Sequence, residues 1–192
     1  LFGLPGLSKN QTLASVVYWR LCDQFPEMGN LFSDSDNVVD LGTFVAMGSH
    51  LHTREPVRSL ADFKGKVFAA QDAAGVGVLE KLGASASVTV GPDAYLALQR
   101  GAVDGVLCWV NNFKLNEVTT YHTLLNLNPG SYSSVMNRDT FNKLTPAAQA
   151  HLKDIRPVYF FYNTTNGAAA AMGSIPAENI FNLSTADTEA LA

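Results

Sequence analysis

SLADFKGKVFAAQDAAGVGVLEKLGASASVTVGPDAYLALQRGAVDGVLCW, residues 59–109, decides the fold. It alternates short β-branched or aromatic runs with helical runs, and turn chemistry marks each switch. Lys66–Ala70 reads as a strand and Gly75–Leu82 as a helix, with Gly83 closing it as a glycine C-cap. Ser87–Val90 is the next strand, and Pro92 stands where a first helical residue tolerates proline. Asp93–Arg100 is the second helix, Gly101 ends it, and Val103–Trp109 is the third strand. Strand starts lie roughly twenty residues apart, too far for hairpins and right for crossover helices. The stretch therefore reads as βαβαβ with parallel strands, a unit that binds ligands at the carboxyl ends of its strands.

Outward from this unit the pattern stays α/β. Thr12–Phe25 has helical spacing, through Leu13, Val16, Val17, Trp19 and Leu21, and is expected to bury one face. Asn37–Met47 is a strand-like run. Glu55-Pro56-Val57-Arg58 is an extended link into a Ser59 cap, because the residue before proline avoids the helical region. Thr119–Leu127 leads to the turn Asn128-Pro129-Gly130, followed by a strand at Ser131–Met136 and a short helix at Arg138–Leu144. Thr145-Pro146 opens a long helical run towards Gly173, which Pro157 and Gly167 interrupt, so a kink near Pro157 is expected. Ile180–Leu183 reads as a last strand. The expected organisation is 1–58 as the remnant of a first lobe and crossover, 59–128 as the βαβαβ lobe, and 129–192 as a return strand, long helix and late strand.

Composition narrows the partners. Of 192 residues, 47% are hydrophobic and 16% charged, with 13 basic and 17 acidic side chains and a net charge of −4. That is a globular composition, and with no Lys/Arg cluster nucleic acid is not an expected partner. No apolar run approaches the roughly twenty residues of a membrane helix, so direct membrane insertion is not expected. The two cysteines, Cys22 and Cys108, do not make a disulfide framework. Leu1 follows no signal-peptide pattern, and Ser184–Ala192 starts a helix with hardly any helix after it, so both ends read as cut from a longer chain.

The candidate chemistry is thin. Gly75-Val76-Gly77 follows a strand and opens a helix, but Glu80 stands where a dinucleotide fingerprint needs its third glycine, and its carboxylate would repel a pyrophosphate. Plain helix packing is the better reading. His50 and His52 at i, i+2 would share one face of a strand, yet a metal needs a third ligand and no ligand motif supplies one. They read as surface or link histidines. Cys108 has no neighbouring base and reads as a small buried hydrophobe. No Gly-x-Ser-x-Gly elbow or Walker loop occurs. Neither an enzyme, nor a metal, nor a cofactor is expected, and what remains is binding.

Three places are expected to face one crevice: Ala69–Asp72, Cys108–Asn112, and the strand around Tyr132. Trp109, Asn111, Asn112 and Phe113 put an indole, amides and a phenyl ring past a strand's carboxyl end, which suits a small organic ligand. The expected contacts are Gln71, Trp109 and Asn112, followed by Tyr132 and His50.

These motifs carry a resemblance. PVRSLADFKG (56–65), AGVGVLEKLGA (74–84), YLALQRGAVDG (95–105), FKLNEVTTYHT (113–123), SVMNRDTFNKLTPAAQ (134–149) and ENIFNLSTAD (178–187) resemble the solute receptors of tripartite ATP-independent periplasmic (TRAP) transporters. The resemblance covers most of the chain. It implies an α/β fold of the class II periplasmic-binding-protein type, a mixed sheet flanked by helices, in two lobes that close on the ligand. It also implies a monomeric periplasmic protein with its signal peptide upstream of Leu1, partnered by a small organic solute, an organic acid or related, and by membrane permease subunits. A ligand-sensing effector domain of a regulator on the same scaffold is the alternative. The chain departs from the family at Ala69, where members usually carry an arginine that clamps the ligand carboxylate. Another residue holds the acid, or the ligand is less acidic, or this copy has lost its ligand. Gln71 is the nearest polar side chain that offers hydrogen bonds instead.

Overall fold

A computed structural model describes residues 11–29, 37–45, 48–109, 114–127, 131–155 and 172–191. In chain order its helices and strands are α1 (Gln11–Gln24), α2 (Pro26–Gly29), β1 (Val38–Val45), β2 (Ser49–Thr53), β3 (Val67–Ala70), α3 (Ala73–Lys81), β4 (Ser85–Val88), α4 (Pro92–Gln99) and β5 (Gly105–Cys108). They continue as β6 (Tyr121–Leu127), β7 (Ser131–Asn137), α5 (Arg138–Asn142), α6 (Pro146–Asp154), β8 (Ile180–Asn182) and α7 (Thr185–Ala190). Short 3-10 turns at Leu60–Phe63, Leu115–Glu117 and Ala177–Asn179 join them. Pro157 and Gly167, where a kink was expected, lie outside the described residues.

The chain divides into two compact units, and the division is not sequential. The smaller holds α1, α2, β1, β7, α5 and α6. In it β1 and β7 form an antiparallel pair from Val38↔Asn137 to Val45↔Ser131, with a bulge between Asp40 and Gly42. Gly42 sits at φ 143, a conformation that excludes most side chains, and its N–H donates to Asp40 Oδ1 at 2.8 Å. The buried face of α1 is not the one its large apolar residues suggest. Leu13 and Val17 are exposed, whereas Ala14 and Ser15 are buried and Trp19 Nε1–H donates to the Thr43 carbonyl at 2.7 Å. Small residues let the helix approach β1 closely, and the indole hydrogen bond sets its rotation.

The larger unit is a six-stranded sheet in the order β4-β3-β5-β2-β6-β8. The pairs β3/β4, β3/β5 and β6/β8 are parallel, while β2 runs antiparallel to both β5 and β6. Five strands therefore point one way and β2 alone points back. The three strands read from 59–109 are all present, parallel and adjacent, and crossover helices α3 and α4 join them. Asp72 caps α3 by accepting from the Gly75 N–H at 2.6 Å. Pro92 opens α4, with Gly91 at φ 61 making the turn before it.

Helices α3 and α4 pack on opposite faces of the parallel strands, so apolar residues line both faces there. On one, Leu51, Phe68, Ala70 and Leu107 pack with Phe63, Val57 and Leu79 of α3. On the other, Ala69, Val106 and Cys108 pack with Ala94 and Leu98 of α4 and with Leu115. Two sequence expectations shift here. The strand expected at Ser87–Val90 pairs instead as Ser85–Val88, because the ladder starts where Ser85 N–H donates to the Lys66 carbonyl at 2.8 Å. It is an edge strand, and the exposed Val90 that extended the sequence reading lies beyond its paired residues. The segment around His50 and His52, read as a link, is strand β2 inside the sheet.

Candidate functional site

Strand directions bring distant residues to one edge of the larger unit. The carboxyl ends of β3, β4, β5, β6 and β8 and the beginning of β2 all lie there. Gln71 follows β3 directly and is half-buried, and Trp109 follows β5 directly and is half-buried. His50 lies near the start of β2 as the register partner of Cys108. Asn126, in the left-handed conformation at φ 51, lies near the end of β6. Its side-chain Oδ1 accepts from the Gly48 N–H at 3.2 Å, and its own N–H donates to His50 Nδ1 at 3.2 Å. Gly48 is obligatory in this arrangement: a Cβ there would stand 2.5 Å from the Asn126 carbonyl carbon.

Of the five contacts expected from sequence, Gln71, Trp109 and His50 are placed at this edge. Tyr132 is exposed on β7 in the smaller unit, and Asn112 lies outside the described residues.

The histidines correct the sequence reading, since they are neither surface nor link residues. His50, His52 and His122 are 4%, 0% and 2% exposed. Row by row across the sheet, Ala69 aligns with Val106, Val106 with His52, and His52 with His122, so these four side chains share one face. His52 Nε2 lies 3.2 Å from the Cys108 carbonyl, and its Nδ1 lies 2.6 Å from Nδ1 of His122. A carbonyl only accepts, so the hydrogen-bond network assigns the His52 proton to Nε2. The proton between the two rings then belongs to His122 Nδ1. By the same logic His50, whose Nδ1 accepts from Asn126, carries its proton on Nε2.

All three rings are neutral for a common reason. Burial, and then the charge that His122 would carry, lowers His50 to about 4. Burial first, then His122 and His50, lowers His52 to about 3 against a small opposing effect of the Cys108 carbonyl. Burial alone lowers His122 to about 4. The pairing was invisible in the sequence because the two histidines are 70 residues apart. The only local signal was a polar, alternating Ser-His-Leu-His-Thr run.

The remaining candidates are structural. Among the described residues no group of three or more His, Cys, Asp or Glu side chains is arranged to hold a metal ion. The Cys108 thiol is fully buried, which pushes its pKa well up and leaves it a poor nucleophile. Gly75 is a packing glycine, since a Cβ there would meet Ala70 Cβ at 3.1 Å and Leu107 Cδ2 at 3.3 Å, whereas Gly77 faces open space. Ala69 is wholly enclosed among Ala94, Leu98 and Val106. No described helix is long and apolar enough to cross a membrane.

Comparison with known proteins agrees with this architecture. The family DctP, bacterial extracellular solute-binding protein, family 7, matches residues 28–169. A TRAP periplasmic solute-binding protein from Desulfovibrio salexigens superposes with a TM-score of 0.73 at 25% identity, over 99% of this chain and 60% of its own. A second, from Pseudomonas putida with bound D-glucuronate, gives 0.76 at 23% identity over 99% and 64%. A third, from Pseudomonas aeruginosa with bound L-malate, gives 0.79 at 19% identity over 99% and 69%. The chain thus spans somewhat under two thirds of the length of the first two proteins. With the α/β sheet, its helices and the family match in agreement, the chain belongs to the DctP family of bacterial extracellular solute-binding proteins, family 7.

Proposed function

We propose that this chain is the solute-capturing part of a TRAP transporter receptor, which holds a small organic molecule outside the cytoplasm and hands it to membrane permease subunits. The observation that carries the reading is the family match over residues 28–169, which spans β1 to α6 and includes Gln71, His50 and Trp109. The similar proteins from Pseudomonas are described with D-glucuronate and L-malate bound, which supports small polar organic solutes as the ligand class. Gln71 and His50 offer hydrogen bonds, and Trp109 offers an apolar wall with an N–H at its rim. The protein works in the periplasm as a monomer, and it binds and releases its solute without chemical change.

The reading is tested on the full-length protein isolated from its own periplasm. Native mass spectrometry is expected to show a small organic molecule that leaves on denaturation. Trp109→Ala is expected to weaken its retention at least tenfold while the melting of the ligand-free protein moves by less than about 2 °C, since a half-buried side chain contributes little to the core. A large loss of melting temperature without ligand would make Trp109 a core residue. Chemical conversion of the bound molecule would replace the receptor with an enzyme.

A further inference from the structure

An irregularity in the larger unit converges on one histidine ring. Along the β2/β6 ladder Leu51 pairs with Thr123 and Ser49 with Leu127, so Leu124, Leu125 and Asn126 stand opposite His50 alone. The surplus in β6 ends at Asn126, whose φ of 51 lies in the left-handed region that asparagine tolerates better than most residues. In that conformation its backbone N–H donates to His50 Nδ1 at 3.2 Å. Its Oδ1 accepts from the Gly48 N–H at 3.2 Å, and Gly48 has no room for a Cβ against it. Bulges of this kind re-aim groups beside binding sites.

The ring so held keeps one donor free. Nδ1 is taken, so the proton sits on Nε2, and Nε2–H meets no acceptor among the described residues. His50 is only 4% exposed, yet this atom is not sealed in. Among the described residues Thr53 Oγ1 is the one enclosed side-chain polar atom without a partner. Nε2–H is therefore an outward donor on a ring that is otherwise packed. It belongs to the last row of the carboxyl edge, where Cys108 pairs with His50 and Gln71 follows the pair of Ala70 with Leu107. Burial, and next the charge His122 would carry, lower His50 to about 4, so Nδ1 stays an acceptor at neutral pH.

We propose that Asn126 is a positioning residue of the capture site, fixing the His50 ring and its tautomer so that Nε2–H donates to an oxygen of the solute. This rests on the capture reading above and adds the residue that orients its donor. A carboxylate, hydroxyl or carbonyl oxygen serves equally as the acceptor.

Two readouts on the full-length protein separate this role from packing. In ligand-free protein, long-range proton–nitrogen NMR is expected to show the His50 proton on Nε2 alone, with the ring assigned by its loss in His50→Gln. Asn126→Gly retains the left-handed conformation and the backbone N–H, and is expected to keep that tautomer. Asn126→Ala is strained there and lacks the Gly48 acceptor, so it is expected to show both tautomers. Asn126→Ser, which also disfavours the left-handed region, takes its place should the alanine variant not fold.

Affinity for D-glucuronate, L-malate and orotate is read by calorimetry, and retention of any co-purifying molecule by native mass spectrometry if none of the three binds. Asn126→Ala and His50→Leu are each expected to weaken binding about tenfold. Asn126→Gly recovers most of the first loss, and His50→Gln, with an amide N–H in place of Nε2–H, most of the second. A proton on Nδ1 in the unaltered protein overturns the proposal. So does an Asn126→Ala protein that melts lower with tautomer and affinity unchanged, which would make the bulge a packing feature. If nothing binds and nothing co-purifies, the capture reading falls together with this inference. If a solute binds and His50→Leu leaves its affinity unchanged, this inference alone falls.

Discussion

At the residue scale, single side chains here act through hydrogen bonds that the backbone needs. Asp72 closes the turn between β3 and α3 with one carboxylate oxygen 2.6 Å from the Gly75 N–H. Asp72→Ala leaves that donor uncapped and is expected to cost about 1 kcal/mol in urea unfolding, with Asp72→Ser recovering most of it. An unchanged midpoint would show that water caps the helix equally well. The histidine pair is a second case. His52 ties β5 through the Cys108 carbonyl and ties β6 through His122, so it links the two strands on either side of β2. A residue that reads as an isolated polar side chain is, in place, a cross-strand connection.

At the scale of elements, β2 governs the larger unit. It is the single reversed strand of the sheet and its residues are all buried. Its tight seam with β5 lies at Gly105, where a Cβ would stand 2.5 Å from Thr53 Cγ2 and 2.6 Å from the His52 carbonyl. Gly105→Ala therefore pushes two strands apart rather than moving a flexible side chain. It is expected to destabilise by roughly 1–3 kcal/mol, read from denaturant melts. A neutral outcome would mean that the β2/β5 ladder opens without loss. The crossover units were legible in the sequence because their signals are local: a period-two run, a cap, a proline at a first turn, a glycine at an end. β2 was not legible because Ser49, His50, His52 and Thr53 are polar, and only neighbours from residues 105–108 and 121–127 make that polarity compatible with burial. The edge strand β4 was displaced in the sequence reading for the converse reason. Val88 at its end and Val90 beyond it are both exposed, so hydrophobicity did not report pairing.

At the scale of the whole molecule, the buried histidines couple stability to pH. Their unfolded values lie near 6.5 and their folded values near 3 to 4. The unfolded chain thus takes up protons first, so this contribution to stability is complete above about pH 6.5 and is lost as pH falls towards 4. At pH 5 each histidine removes on the order of 2 kcal/mol relative to neutral pH. Melting is expected to drop steeply between pH 7 and pH 5, above the range where carboxylates titrate. A flat profile across that window would mean that the rings are hydrated or paired differently. The division into two units is also a property of the whole chain. The smaller unit takes its described residues from before 47 and from 131–155, and the larger from between them and from 172 onward, so no single cut in the sequence separates the two.

The sequence by itself determined the parallel βαβαβ unit, the proline that opens α4, and the family resemblance that the match over residues 28–169 supports. All of these are carried by short-range patterns, which act before any tertiary contact forms. Only the tertiary structure decided that β2 turns back through the sheet, that His52 meets His122 across 70 residues, and that Gln71, His50 and Asn126 share one edge. Strand order and register determine which distant side chains become neighbours, and no local pattern encodes that choice.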